Sequence, residues 1–279
     1  MSTRNLESIA SKSYSEEQKA KISEIRASLG QLPEKLSLYC SDSSIRRHLI
    51  ARNWDLKKSR KMLKNTLKWR RWYKPDEISW DDISKEAETG KIYRTDYLDR
   101  LGRAVLVMKP SSQNTNSAKG QIKYLVYSME NAILNLPPHQ QQMVWIIDFE
   151  GFKLSHISIN ITKETARILQ DHYPERLGVA IMYNPPKFFE SFWKLSKPFL
   201  EPRTVAKVHF VYSNDPNSMQ IIHDIFDMEK LEQTFGGKDK AGFNFEQYAE
   251  RMKSDDRRMS LIWTEATESE TPDHTTADQ

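Results

Sequence analysis

A continuous apolar run, Met143 to Phe149 (MVWIIDF), constrains this chain more than any other feature. It has no polar alternation, so a strand made from it has no face to offer water. Such a strand belongs in a sheet covered on both sides. Similar short runs occur at Ala104 to Met108, Gly178 to Tyr183 and Val208 to Tyr212. Helical patterns lie between them. Gln121 to Leu136 carries Leu125, Val126, Met129, Ala132 and Ile133 and stops at Pro137-Pro138. Thr162 reads as the N-cap of a helix reaching about His172, and Pro216 to Phe226, Met228 to Phe235 and Phe243 to about Met259 read as three more. Strands alternating with helices at this spacing predict an α/β fold with a mainly parallel sheet.

The first part of the chain has a different texture. Ser15 to Leu29 predicts a helix ending at Gly30, and a second starts near Ser41-Asp42-Ser43 and runs to about Asn53. Asp55 caps a third, to about Trp72, in which Leu56, Met62, Leu63, Leu67 and Trp69 are interleaved with Lys and Arg. This is the most basic stretch. It reads as a solvated face, or as a face drawn to phosphates. Lys74-Pro75-Asp76 ends the unit. The expected organisation is a disordered N-terminus over 1–14, a small helical unit over 15–76, an α/β domain over 77–250, and a C-terminal helix end with an acidic disordered tail over 251–279. The last fifteen or so residues hold Glu265, Glu268, Glu270, Asp273 and Asp278 without Lys or Arg.

The net charge of +4 is mild and favours an anionic surface without demanding one. The lone cysteine, Cys40, rules out an internal disulfide framework or a cysteine zinc site and fits a reducing, cytoplasmic setting. The first thirty residues lack the apolar run of a signal peptide, and no stretch is apolar enough to span a bilayer. The nine glycines form neither a dinucleotide fingerprint nor a P-loop, GxSxG is absent, and the histidines form no HExxH. Asp148 closes a buried strand, where ligands gather in α/β sheets, but a turn role before Gly151 is favoured. The chain reads as a binder, with no catalytic residues, metal or cofactor expected.

One segment stands apart. Between Pro185-Pro186 and Lys197-Pro198, Phe188, Phe192 and Leu195 follow i, i+4, i+7 spacing, with Phe189 and Trp193 beside them. The pattern fits a core helix or a proline-bounded flap over a cavity.

The ordered series RRHLIARNWDLKKSRKMLKNTLKWRRW (46–72), DRLGRAV (99–105), Ile147-Asp148-x-x-Gly151, YPERLG (173–178), NPP, KPFLEPRTVAKV and FGG resembles the CRAL-TRIO lipid-binding family, phosphatidylinositol transfer type. The resemblance covers about residues 15 to 240. It implies a gated hydrophobic pocket for one phospholipid, with phosphatidylinositol the expected ligand. The gate would be Pro186 to Leu200, with Phe188, Phe189, Phe192, Trp193, Leu195 and Phe199 lining the acyl chains. By motif, Arg52, Glu175, Thr204 and Lys207 would hold the headgroup, with Glu175 expected to pair with Lys207. Asp99 to Val105 would lead into the first strand.

The sequence departs from the family's pattern in two places. Met143 and Trp145 stand where phosphatidylcholine carriers have small hydroxyl residues, which disfavours that lipid. Ile50 stands where Arg is frequent. The implied partners are phospholipid, a membrane surface met peripherally and transiently, and a lipid kinase; no nucleic acid is expected. The alternative is a lipid-regulated interaction protein, or a carrier of phosphatidylcholine, sterol, retinoid or tocopherol in the same fold.

Overall fold

The computed structural model describes residues 15–268, and their side chains except at Ser196, Phe199 and 263–268. The predicted disordered segment 1–14 and the tail beyond 268 lie outside the described residues. The helices are α1 Glu16–Ala27, α2 Glu34–Tyr39, α3 Asp42–Ala51, α4 Leu56–Tyr73, α5 Trp80–Ala87, α6 Ala118–Leu134, α7 Ile159–His172, α8 Lys187–Ser196, α9 Pro202–Val205, α10 Pro216–Ile225 and α11 Phe245–Glu268. The strands are β1 Ile92–Leu98, β2 Ala104–Met108, β3 Met143–Asp148, β4 Leu177–Tyr183 and β5 Val208–Val211.

The sheet order is β1-β2-β3-β4-β5. β1 and β2 are antiparallel, and β2 to β5 are all parallel. Parallel neighbours require crossovers, and right-handed crossovers advancing in one direction all fall on one face. α6, α7 and α8 are those crossovers. Side chains alternate accordingly. Ala104, Leu106 and Met143 pack with Met129 of α6 and Ile168 of α7. Val105, Val107, Val144, Ile146, Ile181 and Val211 point the other way, into a core closed by Ile222 of α10, Phe226, Phe235 and Met252 of α11. The apolar MVWIIDF run is thereby explained, because β3 is flanked by packed helices on both faces, with only Trp145 and Ile147 on the crossover face half-buried.

α1, α3 and α4 bury a separate core of Ile22, Ile25, Ile45, Leu49, Leu63 and Leu67. Ser15 caps α1 in a capping box with Gln18, Ser41 caps α3 and Asp55 caps α4.

The structure corrects several expectations. Asp99 to Val105 does not precede the first strand. It is the turn of the β1–β2 hairpin, with Gly102 at φ 73°. Asp99 accepts hydrogen bonds from the Leu101 and Arg103 amides and from the Arg103 side chain. Arg103 lies against Gly178, where an added Cβ would sit 2.7 Å from its guanidinium, so the two glycine motifs explain each other. α7 starts at Ile159 with Ser158 as its cap, ahead of Thr162. Residues 228–235 hold only a single 3₁₀ turn, Gln233–Phe235. Glu265 and Glu268 belong to α11, not to a disordered tail. Among the described residues no helix is long and apolar enough to cross a membrane.

A chain of polar contacts joins the helical unit to α7. His48 Nδ1 lies 2.8 Å from the Ser44 carbonyl and its Nε2 3.5 Å from Thr66 Oγ1. Thr66 donates to the Asp171 carbonyl at 2.9 Å, and His172 stacks on Trp69 at 4.2 Å. Burial pushes His48 down to about 3 and His172 down to about 4, the latter helped by the charges of Arg167 and Arg70. Both are neutral in the fold and take up protons on unfolding. Stability is therefore full above the ordinary histidine value of about 6.5 and falls as pH drops towards 4, by up to ~1.4 kcal/mol per pH unit per histidine. Denaturant titrations across that range should show the fall, and His172→Asn should reduce it by about half, since His48 still takes up its proton on unfolding. A flat wild-type profile would contradict the assignment.

Candidate functional site

The crossovers do not cover the sheet equally. α6 buries a nearly continuous surface, from Ile122 to Ala132. α8 buries only Phe189 among its described side chains, at 8% exposure. On the crossover face of the sheet the register aligns Trp145 with Ala180 and Val208, and Ile147 with Met182 and Phe210. Trp145, Ile147, Met182, Val208 and Phe210 are all half-buried. This is an apolar strip that the crossover leaves incompletely packed. Trp145 Nε1 on that strip is buried and has no hydrogen-bond partner.

α8 rests on the strip through aromatic rings. Phe189 lies 4.3 Å from Phe149, 5.6 Å from Phe192 and 6.4 Å from Phe210, and Trp193 lies 6.0 Å from Phe210. Phe188 stacks on Phe152 at 6.0 Å. Leu195, expected on the same face, is instead 73% exposed. At i+7 from Phe188 it falls near the end of the helix, past the sheet-facing rings. The side chain of Phe199 lies outside the described residues. Asp148, beside this end of the sheet, accepts from the Glu150 amide at 3.0 Å, as a turn residue does. Burial raises its carboxyl above the usual range.

The chain leaves the C-terminal end of β4, travels through α8, and returns through α9 to the N-terminal end of β5. α9 carries the polar part of the site. Lys207 Nζ donates to Glu175 Oε2 at 3.1 Å, so the anticipated pair forms between the starts of β4 and β5. Their side chains are 21% and 16% exposed. Glu175 has φ 57°, a left-handed conformation that a non-glycine residue adopts at a cost. Thr204 sits on α9, half-exposed, its carbonyl accepting the Lys207 amide at 3.1 Å. Arg52 Nη1 donates to Glu201 Oε1 at 2.8 Å and to the Ala51 carbonyl at 2.9 Å. Arg52 thus reaches the start of α9, and Lys207 follows its end.

Arg52 is placed by the way α3 stops. Asn53 and Trp54 take left-handed conformations, φ 51° and 62°. The Trp54 amide bonds the Leu49 carbonyl and the Asn53 amide bonds the Ile50 carbonyl. That is the Schellman arrangement, with Asn in the position usually held by Gly. Arg203 then donates to the Ile50 carbonyl at 2.6 Å and to Asn53 Oδ1. Two charged side chains at this end of the site, Glu201 and Arg203, stand outside the set expected from sequence. Both sit in the EPRT series, and their charges were the available signal. At Ile50, the other departure from the family's pattern, the backbone carbonyl accepts from Arg203 of α9.

Behind the site a buried network ties α4 to the α/β unit. Arg70 donates to both oxygens of Glu130 at 2.8 and 3.1 Å, and Tyr173 donates to Glu130 at 2.6 Å. Burial alone would raise the Glu130 carboxyl. The charge and hydrogen bonds of Arg70, with Tyr173, outweigh it and hold the group below the usual range.

Comparison with known proteins agrees with this architecture. Residues 87–237 match the CRAL/TRIO domain family. A Schizosaccharomyces pombe CRAL-TRIO domain-containing protein is 34% identical over 81% of this chain and 22% of its own length. The Saccharomyces cerevisiae phosphatidylinositol transfer protein PDR17 is 34% identical over 59% of this chain and 50% of its own. The match to the SEC14 cytosolic factor of Kluyveromyces lactis is 30% identical over 80% of this chain and 78% of that protein. The chain therefore spans about a fifth and about half of the first two relatives. The crystal structure of Sfh5 superposes with a TM-score of 0.66 at 17% identity, covering 92% of this chain and all of that one, a likeness of fold. With its parallel sheet, its crossover helices and its family match, this chain belongs to the CRAL-TRIO domain family.

Proposed function

We propose that this protein binds one phospholipid, phosphatidylinositol, and transfers it between membranes or presents it to a lipid-modifying enzyme such as a lipid kinase. The observation that carries the reading is the half-buried apolar strip under α8, with the unpartnered Trp145 Nε1 upon it. Acyl chains laid along Ile147, Met182, Val208 and Phe210 would complete the packing that the crossover leaves undone. An ester oxygen would satisfy the indole. The name of the phosphatidylinositol transfer protein PDR17 supports the ligand class.

In this reading Arg52 and Lys207 neutralise the phosphate, Thr204 donates to it or to an inositol hydroxyl, and Glu175 holds Lys207 in place. The bulk of Trp145 disfavours a phosphatidylcholine headgroup at the same strand. The protein works as a carrier without a catalytic step, in the cytoplasm and transiently at membranes.

Two acyl chains of about sixteen methylenes each, at ~0.8 kcal/mol per methylene, are worth roughly 20 to 25 kcal/mol of burial. Release into water is far too slow, so exchange takes place on the bilayer with α8 lifted. Phe188, Phe189, Phe192 and Trp193 suit that step, because aromatic rings partition to the interface.

Replacing Phe189 and Trp193 together by Ala should slow transfer of labelled phosphatidylinositol between vesicles by about tenfold, equivalent to ~1.4 kcal/mol. Wild-type speed in the double variant would remove α8 from the mechanism.

A further inference from the structure

α4 carries a stripe that lipid carriage leaves unused. Lys58, Lys61, Asn65 and Lys68 recur at i, i+3, i+7 and i+10 and share one face. That face is one wall of a cleft of about 550 Å³. Arg167, Asp171 and His172 of α7 line it too, with Trp69 stacked flat on His172 at an interplanar angle of 7°. Arg52 also lines it.

The charge is one-sided. Arg52, Lys58, Lys61, Lys68 and Arg167 line the cleft, with Asp171 as the only lining carboxylate among the described residues. Lys58 reaches Asp55 only at 3.7 Å, with 73% of its side chain exposed. Arg167 pairs outwards with Glu164. Lys61 and Lys68 have no carboxylate within ion-pair distance among the described residues. Like charges at helical spacing repel, so the arrangement costs stability unless a counterion resides there. A merely solvated helix face would lack an opposing wall. Here α7 supplies one, and the buried His48–Thr66–His172 contacts brace both walls.

We infer that the α4–α7 cleft is a second anion site, for a compact ligand carrying two or more phosphates, such as a polyphosphorylated ring. The ligand can be a membrane lipid headgroup or a free polyphosphate, since the recognised chemistry is the same. The volume suits a small ring. Arg52 gives the site a consequence. It lines the cleft and also holds Glu201 at the start of α9. A polyphosphate drawing Arg52 inward competes with Glu201 and loosens α9, the segment that returns α8 to the sheet. This coupling rests on the reading of α8 as a gate; the binding itself does not.

The test compares wild type, Lys61→Glu with Lys68→Glu, and a charge-matched control, Lys85→Glu with Lys240→Glu. The probes are soluble inositol hexakisphosphate and phosphatidylcholine vesicles with or without a few mole per cent of phosphatidylinositol 4,5-bisphosphate. Expected is binding by wild type, weakened at least about tenfold by the cleft variant and unchanged in the control. Vesicle binding without the soluble probe assigns a membrane headgroup, and the converse assigns a free polyphosphate. No binding of either probe, equal loss in both variants, or tighter binding of a short DNA duplex would overturn the site. The cleft variant should still load phosphatidylinositol. If wild type itself fails to load it while the cleft binds, the transfer reading falls and the cleft stands.

Discussion

Lys207→Ala is expected to reduce phosphatidylinositol uptake from vesicles to background while leaving the fold intact. The Lys207–Glu175 pair is partly exposed, so its loss costs stability about 1 kcal/mol or less. Its loss for binding is greater and has two parts. A charge-assisted hydrogen bond to the phosphate disappears, worth about 1.5 to 3 kcal/mol or roughly tenfold to more than a hundredfold. Glu175 is also left without its cation, and its carboxylate then repels the phosphate that Lys207 had attracted. The second part makes the prediction distinctive. Adding Glu175→Gln to Lys207→Ala should recover part of the uptake, because it removes the repulsion without restoring the bond. Uptake of labelled lipid, measured beside a thermal melt, checks both. Unchanged uptake in Lys207→Ala would discard the headgroup assignment.

Arg70→Ala is expected to destabilise the protein by ~3 to 5 kcal/mol, the usual cost of removing one partner of a buried ion pair. Arg70 is 6% exposed and Glu130 8% exposed. Without the guanidinium, Glu130 keeps only the Tyr173 hydroxyl, and its carboxyl must take up a proton or draw in water. Arg70→Met with Glu130→Leu should cost less than the single change, since it removes the stranded Glu130 carboxylate and leaves Asp76, 3.8 Å from Arg70, still paired with Lys35 at 3.5 Å. Tyr173 would then have to find another acceptor, so recovery should be partial. Urea unfolding distinguishes the two variants. A loss below about 1 kcal/mol for Arg70→Ala would mean that the network does not hold α4 to the α/β unit.

The parts of the fold that could be read from sequence were those with an unambiguous period or punctuation. β2 to β5 announced themselves as doubly covered runs, and Ser15, Ser41 and Asp55 as caps. β1 escaped because Ile92–Leu98 (IYRTDYL) mixes charge into the strand. Arg94 and Thr95 are buried there only through Asn131, Asp255 and the Tyr97 carbonyl, partners that sequence cannot supply. α5 escaped because it is short and half charged, its burial depending on Trp80 and Ile83 meeting the core around Tyr248. Residues 228–235 looked helical by their apolar content, yet the bond from the Lys238 amide to the Met228 carbonyl and the Glu232–Asp239 bridge fold them as turns.

The site divides in the same way. The Glu175–Lys207 pair followed from charge logic once the two motifs were placed side by side. The Arg52–Glu201 link did not, because it depends on the Schellman turn at Asn53 and Trp54 presenting Arg52 to α9. Leu195 shows the limit of helical spacing. The pattern gave it the sheet-facing side, but Phe189 and Trp193 make the contacts with Phe210 and Leu195 is left 73% exposed.

In the proposed function, the strip under α8 and the charges around α9 together hold one phosphatidylinositol. Native mass spectrometry of the protein after incubation with mixed liposomes, followed by identification of the released lipid, is the decisive measurement. A single phosphatidylinositol per chain is expected, lost in Lys207→Ala. A sterol or other neutral lipid alone, or no lipid at all, would contradict it.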